Sequence, residues 1–271
     1  MNWHGRPNKA LVRQFVFHGH VQRSGGVFLP GWDSDANHGG YCIRQGIAMG
    51  AIDPKRPIFA AESDSAISKS IERDLIEDVG LTDLRFHHGP LHRMKLTEPV
   101  DTVFVDLMGT INTDIARWMH DELAAMLTNN ATVSLTVAYN HRNAHFMEHC
   151  NKLFHGPMAE LTAKARSHYG VNGRYNLIPL MVMRCIFNRF NFAFTGAVKY
   201  GDGMSMLLYR FDNFERLEQT NGFPSVVELI ESMKPTHAHY DRMAARGQIT
   251  RRSAAAYKAN LTRQMQRSNR I

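Results

Sequence analysis

The chain has 271 residues, of which 44% are hydrophobic and 21% are charged. This composition is typical of a folded globular protein and argues against a disordered one. No apolar run approaches the ~20 residues that a membrane-spanning helix needs, so we expect no membrane association and a cytoplasmic protein. The three widely spaced cysteines argue against a disulfide framework and against a cysteine-built zinc site.

The predicted elements alternate along the first half of the chain. Apolar spacing predicts a helix within 8–23, and Ser24-Gly25-Gly26 separates it from a first strand that ends Leu29-Pro30-Gly31. The elements predicted next are a helix at 41–52, a strand at 58–61, a helix at 64–79, a strand at 84–89, a strand at 100–107, a helix at 113–128 and a strand at 131–139. Five strands that alternate with helices predict a parallel sheet with helices on both faces.

The pattern changes in the second half. Two strand-like runs, 192–199 and 204–211, flank Tyr200-Gly201-Asp202-Gly203, which predicts an antiparallel hairpin. Pro224 precedes a further predicted helix, and a basic segment ends the chain. We therefore expect an N-terminal helical segment at 1–26, an α/β domain at 27–212 and a helical basic extension at 213–271.

The stretch from Val27 to Asp64 has the order of a nucleotide-binding βαβ unit: strand, glycine-bearing loop, helix, strand, acid. Glycines allow a ligand to approach the backbone closely. Glu62 lies 22 positions after Gly40, near the ~20 expected for an acid that binds ribose hydroxyls. Asp106 ends the fourth strand in the same way, and the carboxyl edge of such a sheet holds the ligand. The alternative is that these acids only cap the helices that follow them.

The order of elements, together with VFLPG, Gly39-Gly40, IFAAESD, HHG and VFVDLMG, resembles the class I S-adenosylmethionine-dependent methyltransferases over roughly 27–211. The resemblance implies an α/β fold: a doubly wound, mostly parallel seven-stranded sheet with a C-terminal antiparallel β-hairpin and helices on both faces. It implies S-adenosylmethionine as the cofactor. The cofactor-binding residues that it implies are Gly31, Asp33, Gly39, Gly40, Glu62, Ser63, His88, Gly89 and Asp106. The catalytic residues that we expect at the same edge are Asp106, Asn140 and His141.

The sequence also departs from the family pattern. The usual first motif is an acid followed by closely spaced glycines, whereas here the loop after Gly31 is long. The fourth strand lacks the Asn/Asp-Pro-Pro-aromatic signature of enzymes that methylate exocyclic amines of bases, and no Pro-Cys pair is present for cytosine C5 chemistry. Neither target is therefore indicated.

Two further groups of polar residues have the chemistry to ligate a cofactor or a metal. Asp33, Asp35 and His38 lie in the first loop, where a solvated polar loop is the alternative. His141, His145 and His149 recur every four residues, but a straight helix separates the outer two by about 12 Å. Because a zinc site needs ligands that converge on one point, we expect a solvated helix face and no metal site.

The positive charge is concentrated at the C-terminus. From Arg242 onwards there are eight basic residues and no acid, so the other 241 residues sum to about −1 of the total charge of +7. Such a segment indicates a polyanionic partner, either DNA or RNA. Thr250 and Ser253 predict the start of a helix there. The nucleic-acid-binding residues that we predict are Arg246, Arg251, Arg252, Lys258 and Arg263; a solvated helix packed on the domain is the alternative.

These observations together favour an S-adenosylmethionine-dependent methyltransferase that acts on a nucleic acid. One alternative is a catalytically inactive domain of the same fold that serves as a binding or assembly module for a polyanionic partner. Another is a different nucleotide-using protein on a doubly wound sheet, since a fold does not fix a function. The sequence gives no indication of the oligomeric state.

Overall fold

The computed structural model describes residues 7–33, 38–107, 111–138, 174–200, 206–233 and 237–268, and a seven-stranded sheet forms its centre. The strands are β1 Gly25–Phe28, β2 Ile58–Glu62, β3 Leu84–His88, β4 Val100–Asp106, β5 Leu127–Ala138, β6 Phe190–Tyr200 and β7 Met206–Arg216. Their spatial order is β3-β2-β1-β4-β5-β7-β6. The first five are parallel, and β7 runs antiparallel to both of its neighbours.

This topology confirms the predicted α/β fold, a mostly parallel seven-stranded sheet that ends in an antiparallel hairpin. The order of strands reverses at β1, since the chain moves outward to β2 and β3 on one side and to β4 and β5 on the other. A reversal of this kind opens a crevice at the carboxyl ends of the strands. The fold therefore fixes where a ligand site is expected.

The helices flank and follow the sheet strands. They are α1 Pro7–Phe17, α2 Tyr41–Ala48, α3 Ser65–Glu77, α4 Thr113–Trp118, α5 Arg174–Ile186, α6 Val226–Met233, α7 His237–Ala245 and α8 Arg251–Ser268. After α4 the chain continues through a π turn at Met119–Leu123 and a short helical turn at Ala124–Met126. The single helix predicted at 113–128 is thus a composite of three pieces.

The central strands β1, β2 and β4 are buried on both faces of the sheet. Six of the seven residues of β4 are buried, all except Asp106 at its end, and successive side chains of a strand point to opposite faces. On one face, residues of α1, α2 and α3, such as Val12, Ile43 and Ile71, pack in one cluster with Phe104. Helices on both faces of a parallel sheet explain why its strands read as nearly continuous apolar runs.

The turn predicted at Asn129-Asn130 lies inside β5, which begins four residues earlier than predicted. Leu127 pairs with Val100 and Thr132 with Thr102, so the ladder is irregular between them. Asn130 has φ 61°, a left-handed conformation that asparagine tolerates well. Local turn chemistry is therefore present, but the strand continues through it.

Packing divides the chain into two units, Met1–Leu229 and Ile230–Ile271. The sheet and α1 lie within the first unit, and α7 and α8 form most of the second. In the part of the chain that the structure describes, no helix is both long and apolar enough to cross a membrane.

Candidate active site

A cleft of about 380 Å³ lies at the carboxyl edge of the parallel strands. Its walls come from the ends of β1, β2, β3 and β4 and from the start of α4; they are Leu29, Gly31, Ala61, Glu62, Ser63, Gly89, Pro90, Leu91, His92, Asp106, Leu107, Asn112 and Ile115. Small-molecule sites are typically about 300–1,000 Å³ in volume. The cleft thus lies at the position where the reversal of strand order places a ligand.

The structure brings together five of the residues that the sequence predicted for this site. Gly31, Glu62, Ser63, Gly89 and Asp106 all line the cleft, although 75 positions separate the first from the last. Parallel strands explain this, because their carboxyl ends meet at one edge of the sheet.

The Glu62 carboxylate is held in place by the turn that follows β2. Its Oε1 accepts a hydrogen bond from the backbone N–H of Asp64 at 2.8 Å. Asp64 itself caps α3, accepting a hydrogen bond from the N–H of Ala66 at 2.9 Å. Glu62 is therefore not the helix cap, and its second carboxylate oxygen has no partner among the described residues.

The long loop after β1 folds back on itself. A short antiparallel ribbon pairs Trp32–Asp33 with His38–Gly39, and the N–H of Gly40 donates to the carbonyl of Gly31 at 3.0 Å. Because the two ends of the loop meet, α2 begins beside the end of β1, as it would after a much shorter loop. Gly31 and Gly40 have φ values of 70° and 81°, which favour glycine.

Gly39 and Gly40 pack against α3 and do not line the cleft. A Cβ on Gly39 would lie 2.6 Å from Cγ1 of Ile71, and a Cβ on Gly40 would overlap Cδ2 of Leu75. The N–H of Gly39 also donates to Oδ2 of Asp74 at 3.1 Å. The absence of side chains on these glycines therefore allows the loop to pack closely against α3. Asp33 lies in the ribbon, and its side chain is outside the described part.

The histidines at the end of β3 point in different directions. His88 Nε2 lies 3.0 Å from Glu72 Oε2 of α3, away from the cleft lining. His87 points to the opposite face, where its Nε2 lies 2.9 Å from the position of a Cβ on Gly89. His92, which follows this loop, does line the cleft.

Asp106 ends β4 in register with Thr136 of β5 and is partly exposed. Burial and the Asp106 carboxylate raise the pKa of the Tyr200 phenol. Burial is also the main reason that the pKa of Cys42 is raised to about 12; the Arg13 guanidinium opposes this rise, and Asp106 adds to it. Asp106 therefore lies within electrostatic range of the side chains of Cys42 in α2 and Tyr200 in β6.

Sequence reasoning missed Tyr200 as a neighbour of Asp106, and it missed Arg13 as a neighbour of Cys42 and Tyr200. Arg13 is only 3% exposed, and its guanidinium lies over the ring of Tyr41, 5.5 Å from the centroid. The sequence signal that could have indicated a buried Arg13 was its position among the apolar residues of α1. Tyr200 gave no such signal, because a hairpin turn was predicted there.

The charges that the described residues bring to the cleft are negative. Glu62 and Asp106 contribute two carboxylates, and no lysine or arginine of the described ranges is in the lining. This arrangement favours a ligand with a cationic group. Within the described ranges, no group of three histidine, cysteine or acidic side chains is arranged to hold a metal ion. The predicted Asn140 and His141, and the histidine series that begins there, lie outside the described residues.

The basic segment folds as two helices, and α8 begins directly after Thr250, as predicted. The hydroxyl of Thr250 accepts a hydrogen bond from the N–H of Ser253 at 3.0 Å. Lys258 Nζ lies 2.8 Å from Asp241 Oδ1, so an acid just before the basic stretch neutralises one of the predicted nucleic-acid-binding charges. The other four predicted side chains are exposed: Arg246, Arg251, Arg252 and Arg263.

The strand order and the position of the cleft define a Rossmann-like α/β fold of the class I methyltransferase type. No protein-family model and no curated protein matches the chain. Solved structures similar to it include TrmN from Thermus thermophilus (12% identity, TM-score 0.45, 76% of this chain and 48% of that chain). The chain therefore spans about half the length of that protein.

For two further similar structures, the match covers most of the length of the other protein. One is the N-methyltransferase NodS from Bradyrhizobium japonicum WM9 in complex with S-adenosyl-L-homocysteine (10% identity, TM-score 0.44, 77% of this chain and 89% of that chain). The other is an rRNA methylase from Streptococcus thermophilus (7% identity, TM-score 0.44, 78% of this chain and 99% of that chain). At these values the similarity does not bear on activity or substrate, and the fold assignment depends on the strand order of the chain itself.

Proposed function

We propose that this protein is an S-adenosylmethionine-dependent methyltransferase that acts on a nucleic acid. The observation that carries the proposal is the pair of carboxylates, Glu62 and Asp106, at the edge of one cleft on a sheet of this topology. An acid at the tip of the second strand can accept hydrogen bonds from both hydroxyls of a ribose. The cofactor carries a cationic sulfonium and a cationic amino group, which the negative lining favours.

The residues of the cleft have distinct parts in this proposal. Glu62 holds the ribose hydroxyls, and the turn at Asp64 fixes its orientation. Gly31 and Gly89 leave room for the cofactor because they carry no side chain. Asp106 lies towards the methionine end, where it orients the methyl acceptor or takes its proton. Bringing the acceptor into line with the methyl group supplies much of the rate.

The nucleic-acid substrate is supported by the second unit of the chain. Residues 237–268 include seven basic side chains and one acidic side chain. Four exposed arginines, Arg242, Arg246, Arg251 and Arg252, make no ion pair within the described part of the chain. Phosphates bind such side chains with little regard to sequence.

The test is calorimetric titration of the purified protein with S-adenosylmethionine and with S-adenosylhomocysteine. A methyl-transfer assay follows, with labelled cofactor and with DNA and RNA as acceptors. We expect binding of both forms of the cofactor, transfer to one of the nucleic acids, and a loss of transfer of about 10²–10⁴-fold in Asp106→Asn. Absence of heat at millimolar ligand would contradict the proposal.

The second candidate function is an inactive module of the same fold that binds a polyanionic partner. The packing of Gly39 and Gly40 against α3 favours it, because these glycines then serve the domain and not a cofactor. A protein that binds nucleic acid but neither form of the cofactor would fit this function and not the first.

A further inference from the structure

The second unit contains a helical hairpin whose longer helix has one side left open. Three side-chain pairs join α8 to α7: Tyr257 with Tyr240, Lys258 with Asp241, and Thr262 with His237. Thr262 lies later in α8 than Tyr257, whereas its partner His237 lies earlier in α7 than Tyr240, so the helices are antiparallel neighbours. One side of α8 therefore packs on α7, and the other side, which we call the outer face of α8, is turned away from it.

The outer face of α8 carries only small, amide and guanidinium side chains. The six residues of this face whose side chains the structure describes are all exposed: Arg252, Ala255, Ala256, Ala259, Asn260 and Arg263. At 3.6 residues per turn they fall within an arc of about 140°. The alanines leave the middle of this face flat, so another surface can approach the helix backbone closely.

The charge of this face is positive and is not neutralised. Asp241 is the one acid among residues 237–268, and it pairs with Lys258 on the side of α8 that packs on α7. Arg252 makes no ion pair with any described residue. Arg252 and Arg263 are eleven residues apart, about 16 Å along the helix axis. This distance corresponds to about five base steps at ~3.4 Å each.

The hairpin is also held together by contacts of its own, without a partner. Thr250 caps the start of α8, and the rings of Tyr240 and Tyr257 stack with their centroids 5.3 Å apart and an angle of 21° between their planes. A helix that is already ordered loses little conformational entropy on binding.

We propose that the outer face of α8 enters the major groove of duplex DNA. An α-helix is ~10–12 Å across and the major groove of B-DNA is ~12 Å wide. The residue types fit the base edges there, since arginine pairs with guanine, asparagine with adenine, and alanine contacts the methyl group of thymine. Duplex RNA does not offer this site, because its major groove is deep and narrow. This inference rests on the proposed nucleic-acid substrate and specifies it as duplex DNA.

The test uses the full chain in anisotropy titrations with a labelled duplex DNA pool, the corresponding single strands, and duplex RNA. We expect duplex DNA to bind about tenfold or more tightly than either. Ala256→Glu places a carboxylate in the middle of the outer face and should weaken duplex binding about tenfold or more. Ala245→Glu introduces the same charge at an exposed position of α7 and should weaken it less than about threefold.

A second pair of variants covers the case in which Ala256→Glu disturbs the helix. Arg252→Ala removes one charge from the outer face, and Lys69→Ala removes one from an exposed position of α3. Only Arg252→Ala should weaken binding and alter the preferred sequence selected from a random duplex pool. Equal effects of the two glutamate variants, or equal effects of the two alanine variants, would refute the inference, and so would tighter binding of RNA or single strands.

Calorimetry with S-adenosylhomocysteine on the same preparations separates this inference from the proposed function. Cofactor binding without duplex DNA binding refutes the role of α8 and leaves the proposed methyltransferase intact. Duplex DNA binding through the outer face without cofactor binding supports the role of α8 and refutes the proposed methyltransferase.

Discussion

Replacing Glu62 tests whether the cleft binds a cofactor ribose. In the structure one carboxylate oxygen accepts the N–H of Asp64 at 2.8 Å, and the other is available at the cleft. Glu62→Ala removes both acceptors. Hydrogen bonds to a charged group contribute about 1.5–3 kcal/mol, so the affinity for S-adenosylhomocysteine should fall about tenfold to a hundredfold.

The glutamine variant separates the two roles of this side chain. Glu62→Gln keeps a carbonyl oxygen that can accept the N–H of Asp64, but it loses the charge and one of the two acceptors. We therefore expect it to retain the thermal midpoint of the unsubstituted protein while losing about tenfold in cofactor affinity. Glu62→Ala should also lose stability, by about 0.5–1.5 kcal/mol for the broken hydrogen bond.

Calorimetric titration and thermal melts measure these two quantities independently. Glu98→Gln is the matched control, because Glu98 is an exposed partner of Arg85 outside the cleft. It should change neither quantity by much. Unchanged cofactor affinity in both Glu62 variants, together with a clear loss of stability in Glu62→Ala, would mark Glu62 as structural and refute the reasoning.

Three further predictions follow from the structure. Deletion of 234–271, which removes α7 and α8, should leave a folded protein with unchanged cofactor affinity. Its binding to duplex DNA should weaken, and the slope of log affinity against log salt should flatten by about 0.9 for each phosphate that the shortened protein no longer neutralises. An insoluble product would instead place these helices in the core. Burial lowers the pKa of His20, so the folded state takes up this proton less readily than the unfolded chain, and stability is complete above the unfolded pKa of 6.5 and falls as the pH drops below it. The free energy of unfolding should accordingly change less between about pH 7.5 and 5.5 in His20→Gln than in a His18→Gln control, and a gain of stability in acid would show that Asp101 and Asp212 outweigh burial. Gly40→Ala should lower stability more than Gly19→Ala in thermal melts, since both sites have left-handed φ but only Gly40 faces Leu75, and equal losses would show that the clash is relieved.

The sequence by itself determined the sheet and the two acids of the site. Apolar runs such as 100–105 and 58–61 are local signals, and their alternation with helices leaves few topologies other than a parallel sheet. Each acid directly follows its apolar run, and parallel strands end at one edge. Glu62 and Asp106 could therefore be placed in one cleft without knowledge of any contact.

Only the tertiary structure decided what the loops and helices contribute. The hydrogen bond between Gly31 and Gly40 returns the long loop to β1, and the packing of Gly40 on Leu75 joins it to α3. Arg13 comes within electrostatic range of the Cys42 and Tyr200 side chains beside Asp106. These pairs connect residues from nine to almost two hundred positions apart. Hydrophobic periodicity and turn chemistry describe only a few neighbouring residues, whereas such pairings depend on how complete elements pack against one another.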